Sequence, residues 1–309
     1  MTEPTTGPTP LSPGVWGILA TPFHGAERAV DTASFTRQIQ LYRDLGAAGV
    51  VALGVFGEAV KLDAAEQRTV VETAVAAADG LPVVVGLPAL STAPVLEQAR
   101  AAVDAADGTL AGLMVQLNSG DPEVAAAHLT AVHEATGVGI VAQDYPLSSG
   151  VRISTAAVIE VVGRCDFLVA VKAEAPPTPP AIVELTAATD VPVFGGLGGV
   201  GLIDELAAGA AGAMTGFSHP EGLLAAVRAH QQGGFAAARE AFAPWLPLAN
   251  FEAQAGVQLA LRKEILHRRG VLDEATIRRP GQTLPASLVP LLDQHLAALS
   301  SILEAASES

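Results

Sequence analysis

Short runs of Val, Ile, Leu and Gly alternate along the chain with longer, alanine-rich stretches in which apolar residues recur at helical spacing. A short, continuously apolar run is typical of a strand that is buried on both faces, as in a parallel sheet. Eight such runs predict strands at Val15 to Thr21, Val50 to Gly54, Pro82 to Gly86, Gly112 to Gln116, Gly139 to Ala142, Leu168 to Lys172, Val191 to Gly195 and Gly212 to Gly216.

Each predicted strand is followed by an amphipathic segment. The predicted helices cover Thr32 to Leu45, Asp63 to Ala78, Thr92 to Ala106, Pro122 to Thr136, Ser154 to Gly163, Pro179 to Thr189, Leu202 to Ala208 and Glu221 to Gln232. Several begin at residues that favour helix N-termini: Asp31 or Thr32, Ser91 or Thr92, and Ser154. Eight strand–helix units favour an α/β fold in which the sheet closes into a (β/α)8 TIM barrel.

The pattern divides the chain into three parts. Residues 1–13 are rich in Pro and Thr and predict a disordered tail. The barrel is expected over residues 14–233, and residues 234–309 contain further helical patterns that cannot supply barrel strands. We interpret this last part as a C-terminal helical extension packed on the barrel wall.

The composition of the chain argues against several classes of partner and cofactor. A formal net charge of −15 and a pI near 4.8 argue against nucleic acid and anionic membranes as partners, since both select basic surfaces. No stretch of about 18 uninterrupted apolar residues predicts a membrane span. Cys165 is the single cysteine, which indicates a small core residue and a reducing, cytoplasmic setting. The scattered histidines predict no metal site, and the glycine spacing predicts no dinucleotide cofactor.

Lys172 is the candidate for chemistry. It ends a run, Phe167 to Val171, that is otherwise apolar. Desolvation favours the neutral, nucleophilic form of an amine, and such a lysine can form a Schiff base with a carbonyl substrate. The alternative is a strand-end lysine whose amine reaches solvent. Lys61 and Lys263 lie in charged segments and are expected on solvated faces.

Polar and glycine-rich segments follow the other predicted strands, where barrel enzymes place their active sites. These segments are Ala20-Thr21-Pro22-Phe23, Gly54-x-x-Gly57-Glu58, Pro146-x-x-x-Gly150 and the glycine cluster Gly195 to Gly199. Together with Lys172, they resemble the dihydrodipicolinate synthase and N-acetylneuraminate lyase family of class I aldolases. The likeness covers about Gly14 to Leu299.

The resemblance implies that Lys172 forms an imine with a small 2-oxo acid and that no cofactor is needed. It further implies a homo-oligomer, a dimer or a tetramer. Backbone amides of the turn that contains Gly54, Val55, Phe56 and Gly57 would hold the substrate carboxylate, as turns leading into helices do for anions. By the same resemblance, four more residues are expected to bind substrate: Thr21, Gln143, Gly195 and Gly196.

The chain also departs from the family pattern. The relay tyrosine falls on Gln143, which cannot act as an acid or base, and two hydroxyl residues fall on Val55 and Phe56. The arginine that binds the aldehyde substrate in the synthases falls on Ser148. A second relay tyrosine has no counterpart in residues 116–120.

Two residues are candidates to replace the relay. Side chains alternate along a strand, so Glu174 is expected on the face of Lys172 and Tyr145 on the face of Gln143. A glutamate at this spacing resembles the 2-keto-3-deoxy sugar-acid dehydratases of the family. Structural roles remain as alternatives: Glu174 as a counter-ion or loop hydrogen-bonder, and Tyr145 as a packed aromatic.

The leading prediction is a Schiff-base lyase that dehydrates, cleaves or condenses a small 2-oxo acid. Dehydration is favoured because Glu174 supplies an acid or base where the tyrosine relay is missing. Condensation of the 4-hydroxy-tetrahydrodipicolinate synthase type is one alternative. A non-catalytic barrel that binds 2-oxo acids is another, motivated by the lost relay positions. A phosphate-handling barrel that uses Gly195 to Gly199 is the third.

Overall fold

The computed structural model describes residues 7–307 and contains ten strands. The strands are β1 (Gly14–Ile18), β2 (Phe23–His24), β3 (Ala29–Val30), β4 (Gly49–Ala52), β5 (Val83–Leu87), β6 (Gly112–Gln116), β7 (Ile140–Asp144), β8 (Leu168–Ala173), β9 (Val193–Gly195) and β10 (Gly212–Thr215). The helices are α1 (Thr32–Asp44), α2 (Ala64–Ala78), α3 (Thr92–Ala105), α4 (Pro122–Thr136), α5 (Pro146–Ser149), α6 (Thr155–Arg164), α7 (Thr178–Ala188), α8 (Leu202–Ala207), α9 (Pro220–Phe242), α10 (Leu246–Glu252), α11 (Gln258–Arg268) and α12 (Val289–Ser307).

Strands β1 and β4 to β10 form a closed, fully parallel barrel in which β1 pairs with both β4 and β10. Each of the eight predicted strands overlaps one of these, and the predicted (β/α)8 fold is confirmed. The first strand ends at Ile18 rather than at Thr21. The reason is that the Gln38 side chain hydrogen-bonds both the N–H and the carbonyl of Ala20, which takes Ala20 out of the strand ladder.

Two elements differ from the sequence prediction. The antiparallel pair β2–β3 was not predicted, because strands of two residues leave no alternating pattern. Helix α9 is longer than expected and continues to Phe242, but Gly234 interrupts it with non-helical torsion angles, φ 68° and ψ −155°. The boundary that we propose between barrel and extension, residues 233 and 234, falls at this interruption.

Large apolar side chains fill the barrel interior, and Trp16, Phe194 and Met214 are almost fully buried there. Leu11 joins this cluster, and its backbone N–H donates to the Val169 carbonyl at 2.9 Å. Residues 1–6 of the predicted disordered tail lie outside the described residues. The part around Leu11 is packed rather than disordered, because a leucine can cover the apolar floor of the barrel.

The C-terminal extension forms a second apolar cluster with helix α9, built around Phe242, Leu261 and Leu292. Among residues 7–307, the segment Ala286–Ala305 is the one helix long and apolar enough to cross a membrane by length and composition. It contains Leu292, which packs in this cluster. The sequence analysis required an uninterrupted apolar stretch and did not select this segment, because Asp293 and His295 interrupt its apolar run.

Candidate active site

A cavity of about 580 Å³ opens at the carboxyl ends of the barrel strands. Its wall combines residues from strand ends with residues 253–258 of the C-terminal extension, so the extension covers part of the barrel mouth. Six of the predicted site residues line this cavity: Val55, Phe56, Gln143, Tyr145, Lys172 and Glu174.

Lys172 and Glu174 meet inside the cavity. The Nζ of Lys172 lies 3.0 Å from Oε2 of Glu174, and the two side chains are only 5% and 6% exposed. The strand pairing continues past the end of β8, since the N–H of Glu174 donates to the Asp144 carbonyl at 2.9 Å. Residues two apart therefore stay on one face. The alternative interpretation required the amine of Lys172 to reach bulk solvent, and it does not.

Glu174 is held in place from several sides. Gln143 donates from Nε2 to Oε2 at 2.7 Å, and the Leu197 N–H donates to Oε1 at 3.3 Å. A Cβ on Gly196 would lie 2.2 Å from Oε1 of Glu174. Gly196 therefore makes room for the carboxylate, and its role in binding substrate stays a prediction. Gln143 orients Glu174 through its hydrogen bond.

Tyr145 lines the cavity beside these residues. Burial raises the pKa of its phenol, and the charge of Glu174 raises it further, so Tyr145 is a neutral hydrogen-bond donor at physiological pH. Asp144 is also buried. Burial, followed by the charge of Glu174, raises the pKa of Asp144 to about 6.

The turn after β4 is a short 3₁₀ helix, Val55–Gly57. The N–H groups of Gly57 and Glu58 bond to carbonyls within the turn, at 2.8 and 3.2 Å. Within residues 7–307 no hydrogen bond uses the N–H of Val55 or Phe56, which leaves these two donors for an anion. Gly54 borders a smaller adjoining cavity that Gln143 also lines.

Three expected binding residues lie behind the cavity wall. Thr21 is fully buried and donates from Oγ1 to the Gly57 carbonyl at 2.7 Å, so it positions the turn. Gly57 is buried within that turn. Gly195 packs against the Glu205 carboxyl group on the far side, because a Cβ there would lie 1.8 Å from Oε2. The glycine cluster contributes Leu197 and Gly198 to the cavity instead.

The carboxyl group of Glu205 predicts a pH-dependent stability. Oε1 accepts from Thr178 at 2.6 Å, whereas Oε2 is buried and has no partner within residues 7–307. Burial raises the pKa of Glu205 from 4.5 to about 7. Between these two pKa values the folded state keeps a proton that the unfolded chain has released. The stabilisation that comes from the protonated carboxyl group is therefore complete below pH 4.5 and is lost as pH rises through about 7.

The variant Glu205→Gln cannot ionise, and we expect it to lose this pH dependence. The stability that wild type loses through Glu205 between about pH 4.5 and 8 is roughly 3 kcal/mol. Denaturant unfolding at about pH 5.5 and about pH 8 captures about 2 kcal/mol of this loss, since the rest falls below pH 5.5, with exposed Glu184→Gln on α7 as control. Equal pH dependence of Glu205→Gln and wild type would contradict a neutral buried carboxyl group.

A buried ion pair joins the C-terminal extension to the turn after β4. Nζ of Lys263, on α11, lies 2.6 Å from Oε1 of Glu58, and both side chains are essentially inaccessible to solvent. Lys61 contacts the other oxygen of Glu58 at 2.9 Å. The sequence-based placement of Lys263 on a solvated face was wrong, because Ala260 and Leu266, three positions before and after it, are buried and share its face of the helix.

We expect Lys263→Met to destabilise the protein by about 3–5 kcal/mol, because it leaves the Glu58 carboxylate buried with an incomplete set of partners. Equilibrium denaturant unfolding at neutral pH gives the free energy of unfolding. Arg268→Met on the same helix removes a more exposed ion pair and should cost less than about 1 kcal/mol. Equal, small losses in both variants would show that the Lys263 contact carries no special stability.

Arg262, next to Lys263, is a site residue that sequence reasoning missed. It lies on the cavity wall with a 3% exposed side chain, and its guanidinium carbon stacks 3.7 Å from the centre of the Phe56 ring. The segment around it was interpreted as a solvated face. The available signal was spacing: Arg262 precedes Ile265 by three positions and Leu266 by four, which places it on the buried stripe of the helix.

Among the described residues, no group of three or more His, Cys, Asp or Glu side chains converges in a way that could hold a metal ion. Cys165 is buried in the apolar layer between strands and helices, as predicted for a small core residue. The polar side chains of the cavity include an amine, a carboxylate, a phenol and a guanidinium, together with amide and hydroxyl groups. This set suits carbonyl chemistry through the amine.

Comparisons with known proteins agree with this geometry. The model of the Dihydrodipicolinate synthetase family matches residues 12–306. The crystal structure of a dihydrodipicolinate synthase from Rhodopseudomonas palustris superposes with a TM-score of 0.87 and 31% identity, over 95% of this chain and 100% of that one.

The chain is also similar in sequence to two proteins that are named as dehydratases. A probable 5-dehydro-4-deoxyglucarate dehydratase from Saccharopolyspora erythraea is 38% identical over 133 residues, which is 42% of each protein. The chain thus spans less than half of that relative's length. An L-2-keto-3-deoxyarabonate dehydratase from Azospirillum brasilense is 27% identical over 288 residues, 89% of this chain and 91% of the relative.

Proposed function

Because the chain belongs to the dihydrodipicolinate synthetase family, we propose that it is a lyase that forms a Schiff base between Lys172 and a small 2-oxo acid. The observation that carries the proposal is the buried amine of Lys172, which faces the cavity with Glu174 only 3.0 Å away. The unused N–H groups of Val55 and Phe56 are suited to the carboxylate next to the reacting carbonyl.

Dehydration of a 2-keto-3-deoxy sugar acid is the reaction that this site supports best. The amine adds to C2 and the carbonyl oxygen leaves as water, which gives a protonated imine. Glu174 then removes a proton from C3, and the electron pair moves towards the imine nitrogen. The C4 hydroxyl leaves with a proton as a second water, and hydrolysis of the unsaturated imine releases product and Lys172.

Glu174 supports dehydration because it is the carboxylate in contact with the amine of Lys172. By the family resemblance, Gln143 stands at the position of the relay tyrosine, so Glu174 is the available acid or base. Gln143 orients Glu174 by a hydrogen bond of 2.7 Å. Tyr145, kept neutral by burial, is placed to donate a proton to the departing hydroxyl. Aldol cleavage uses the same imine but breaks the C3–C4 bond. Condensation of the synthase type lacks the aldehyde-binding arginine, since Ser148 stands there.

A panel of 2-keto-3-deoxy sugar acids, the pentonates and hexonates with one carboxylate and the corresponding aldarates with two, tests the proposed reaction. We expect loss of one water without release of pyruvate, measured by mass spectrometry of the reaction mixture. Release of pyruvate would assign aldol cleavage instead. Absence of turnover, with a 2-oxo acid still bound, would support the alternative of a non-catalytic binding protein. Phosphate-dependent thermal stabilisation would support a phosphate-handling barrel.

We further propose that the protein assembles into a dimer or tetramer in a reducing, cytoplasmic setting. The exposed apolar side chains of Leu291, Ile302 and Leu303 on α12 are suited to burial against another copy. Light scattering coupled to size-exclusion chromatography measures the mass, and a monomer at micromolar concentration would contradict assembly.

A further inference from the structure

Arg262 presents unused hydrogen-bond donors at the cavity that contains Lys172. Its side chain is 3% exposed, and it lines the cavity together with Lys172, Glu174 and Phe56. Within residues 7–307 its guanidinium makes one hydrogen bond, from Nε to Oε2 of Glu252 at 3.2 Å. The buried Nη1 has no partner, and no hydrogen bond uses Nη2. An unpaired, buried donor is costly, which points to a missing acceptor.

The surroundings of Arg262 fix its guanidinium in place. One face stacks on the Phe56 ring at 3.7 Å, and Glu252 binds the Nε edge. Glu252 also accepts from the N–H and the hydroxyl of Ser218, so this carboxylate is itself held. A Cβ on Gly216 would lie 2.7 Å from Nη1. Glycine at that position therefore leaves space for the guanidinium between the barrel mouth and the extension.

Two separate sets of anion donors thus border one cavity. The first is the pair of backbone N–H groups at Val55 and Phe56, and the second is the guanidinium of Arg262, which lines the cavity and stacks on the Phe56 ring. A planar guanidinium matches a carboxylate better than it matches a hydroxyl, because two parallel N–H groups bind its two oxygens. A substrate with a single carboxylate satisfies only one set.

We propose that Arg262 binds a second carboxylate, at the far end of a 2-oxo dicarboxylic acid whose C2 carbonyl reacts with Lys172. This inference rests on the proposed function, since it takes the imine at Lys172 as given. Arg262 is then a specificity-determining residue supplied by the C-terminal extension. Non-specific attraction does not explain such a preference, because the chain carries a net charge of −15 and repels dianions.

The test compares 2-oxo acids of equal length with and without the second carboxylate. Borohydride trapping at Lys172 is measured against concentration for 2-oxoglutarate and 2-oxopentanoate, and for 2-oxoadipate and 2-oxohexanoate. Pyruvate shows whether the imine forms at all. For at least one pair we expect half-saturation at a concentration about 10-fold or more lower for the dicarboxylate, as charge-assisted hydrogen bonds of this kind provide.

Arg262→Gln should lose this preference, whereas Arg268→Gln, which changes an exposed arginine of the same helix, should keep it. The double variant Glu252→Gln/Arg262→Gln removes both members of the buried pair and serves if the single variant does not fold. A preference that persists in a folded variant without Arg262 would overturn the inference. So would wild-type protein that traps pyruvate but does not distinguish the paired acids. Wild-type protein that traps no 2-oxo acid would instead overturn the proposed function.

Discussion

Lys172→Met is expected to abolish turnover of every 2-oxo acid substrate, lowering kcat by roughly 10⁴-fold or more, as removal of a nucleophile does in other covalent enzymes. The reason is that no other lysine is placed to form the imine. Lys61 and Lys263, the other two lysines in the sequence, are both engaged with Glu58. Steady-state assay with the substrate found in the sugar-acid panel gives the measurement.

Lys172→Arg is the matched control for charge. It keeps a cation beside Glu174 but supplies no amine that can form an imine, so we expect it to be as inactive as Lys172→Met. Circular dichroism and thermal melting establish that both variants are folded. Turnover by folded Lys172→Arg near the wild-type rate would mean that the positive charge, and not the nucleophile, is what the reaction needs.

Glu174→Gln is expected to lower the dehydration rate by about 10²–10⁴-fold, the usual contribution of a positioned acid or base. Glutamine fits the space beside Gly196 and still accepts a hydrogen bond from the Leu197 N–H, but it cannot take the C3 proton. Imine formation should persist, so borohydride trapping with pyruvate should still modify Lys172. The combination of trapping without turnover separates proton transfer from imine formation.

Asp144→Asn provides a control for the loss of one buried carboxylate near the site. Asp144 does not line the cavity, and its backbone carbonyl already accepts from the Glu174 N–H, a bond that the variant keeps. We expect its turnover to stay within a few-fold of wild type. If Glu174→Gln were equally active, Glu174 would be a counter-ion of Lys172 only, the structural alternative considered from the sequence.

The barrel could be predicted because its signals are local. Eight apolar runs followed by amphipathic segments produce strands that are buried on both faces, and the helix between successive strands returns the chain so that the strands pair in parallel. What the pattern missed has non-local causes. The end of β1 depends on Gln38 of the following helix. The burial of Leu11 depends on its contact with the apolar side chains inside the barrel.

The same distinction applies to the candidate site. The contact between Lys172 and Glu174 could be predicted because alternation along one strand requires it. Arg262 was missed because its place depends on how the extension packs over the barrel mouth, which no local pattern records. The contact between Gly196 and Glu174 could not be predicted either, because the glycine cluster alone does not reveal that Glu174 fills the adjacent space.

The central claim, that the buried amine of Lys172 captures the carbonyl carbon of a 2-oxo acid, is tested most directly by mass spectrometry. Wild-type protein is incubated with pyruvate, reduced with borohydride, digested and mapped. The account predicts one stable pyruvate-derived adduct, on the peptide that contains Lys172, and none in Lys172→Met. Unmodified protein with pyruvate and with longer 2-oxo acids alike, or an adduct confined to another amine, would contradict it.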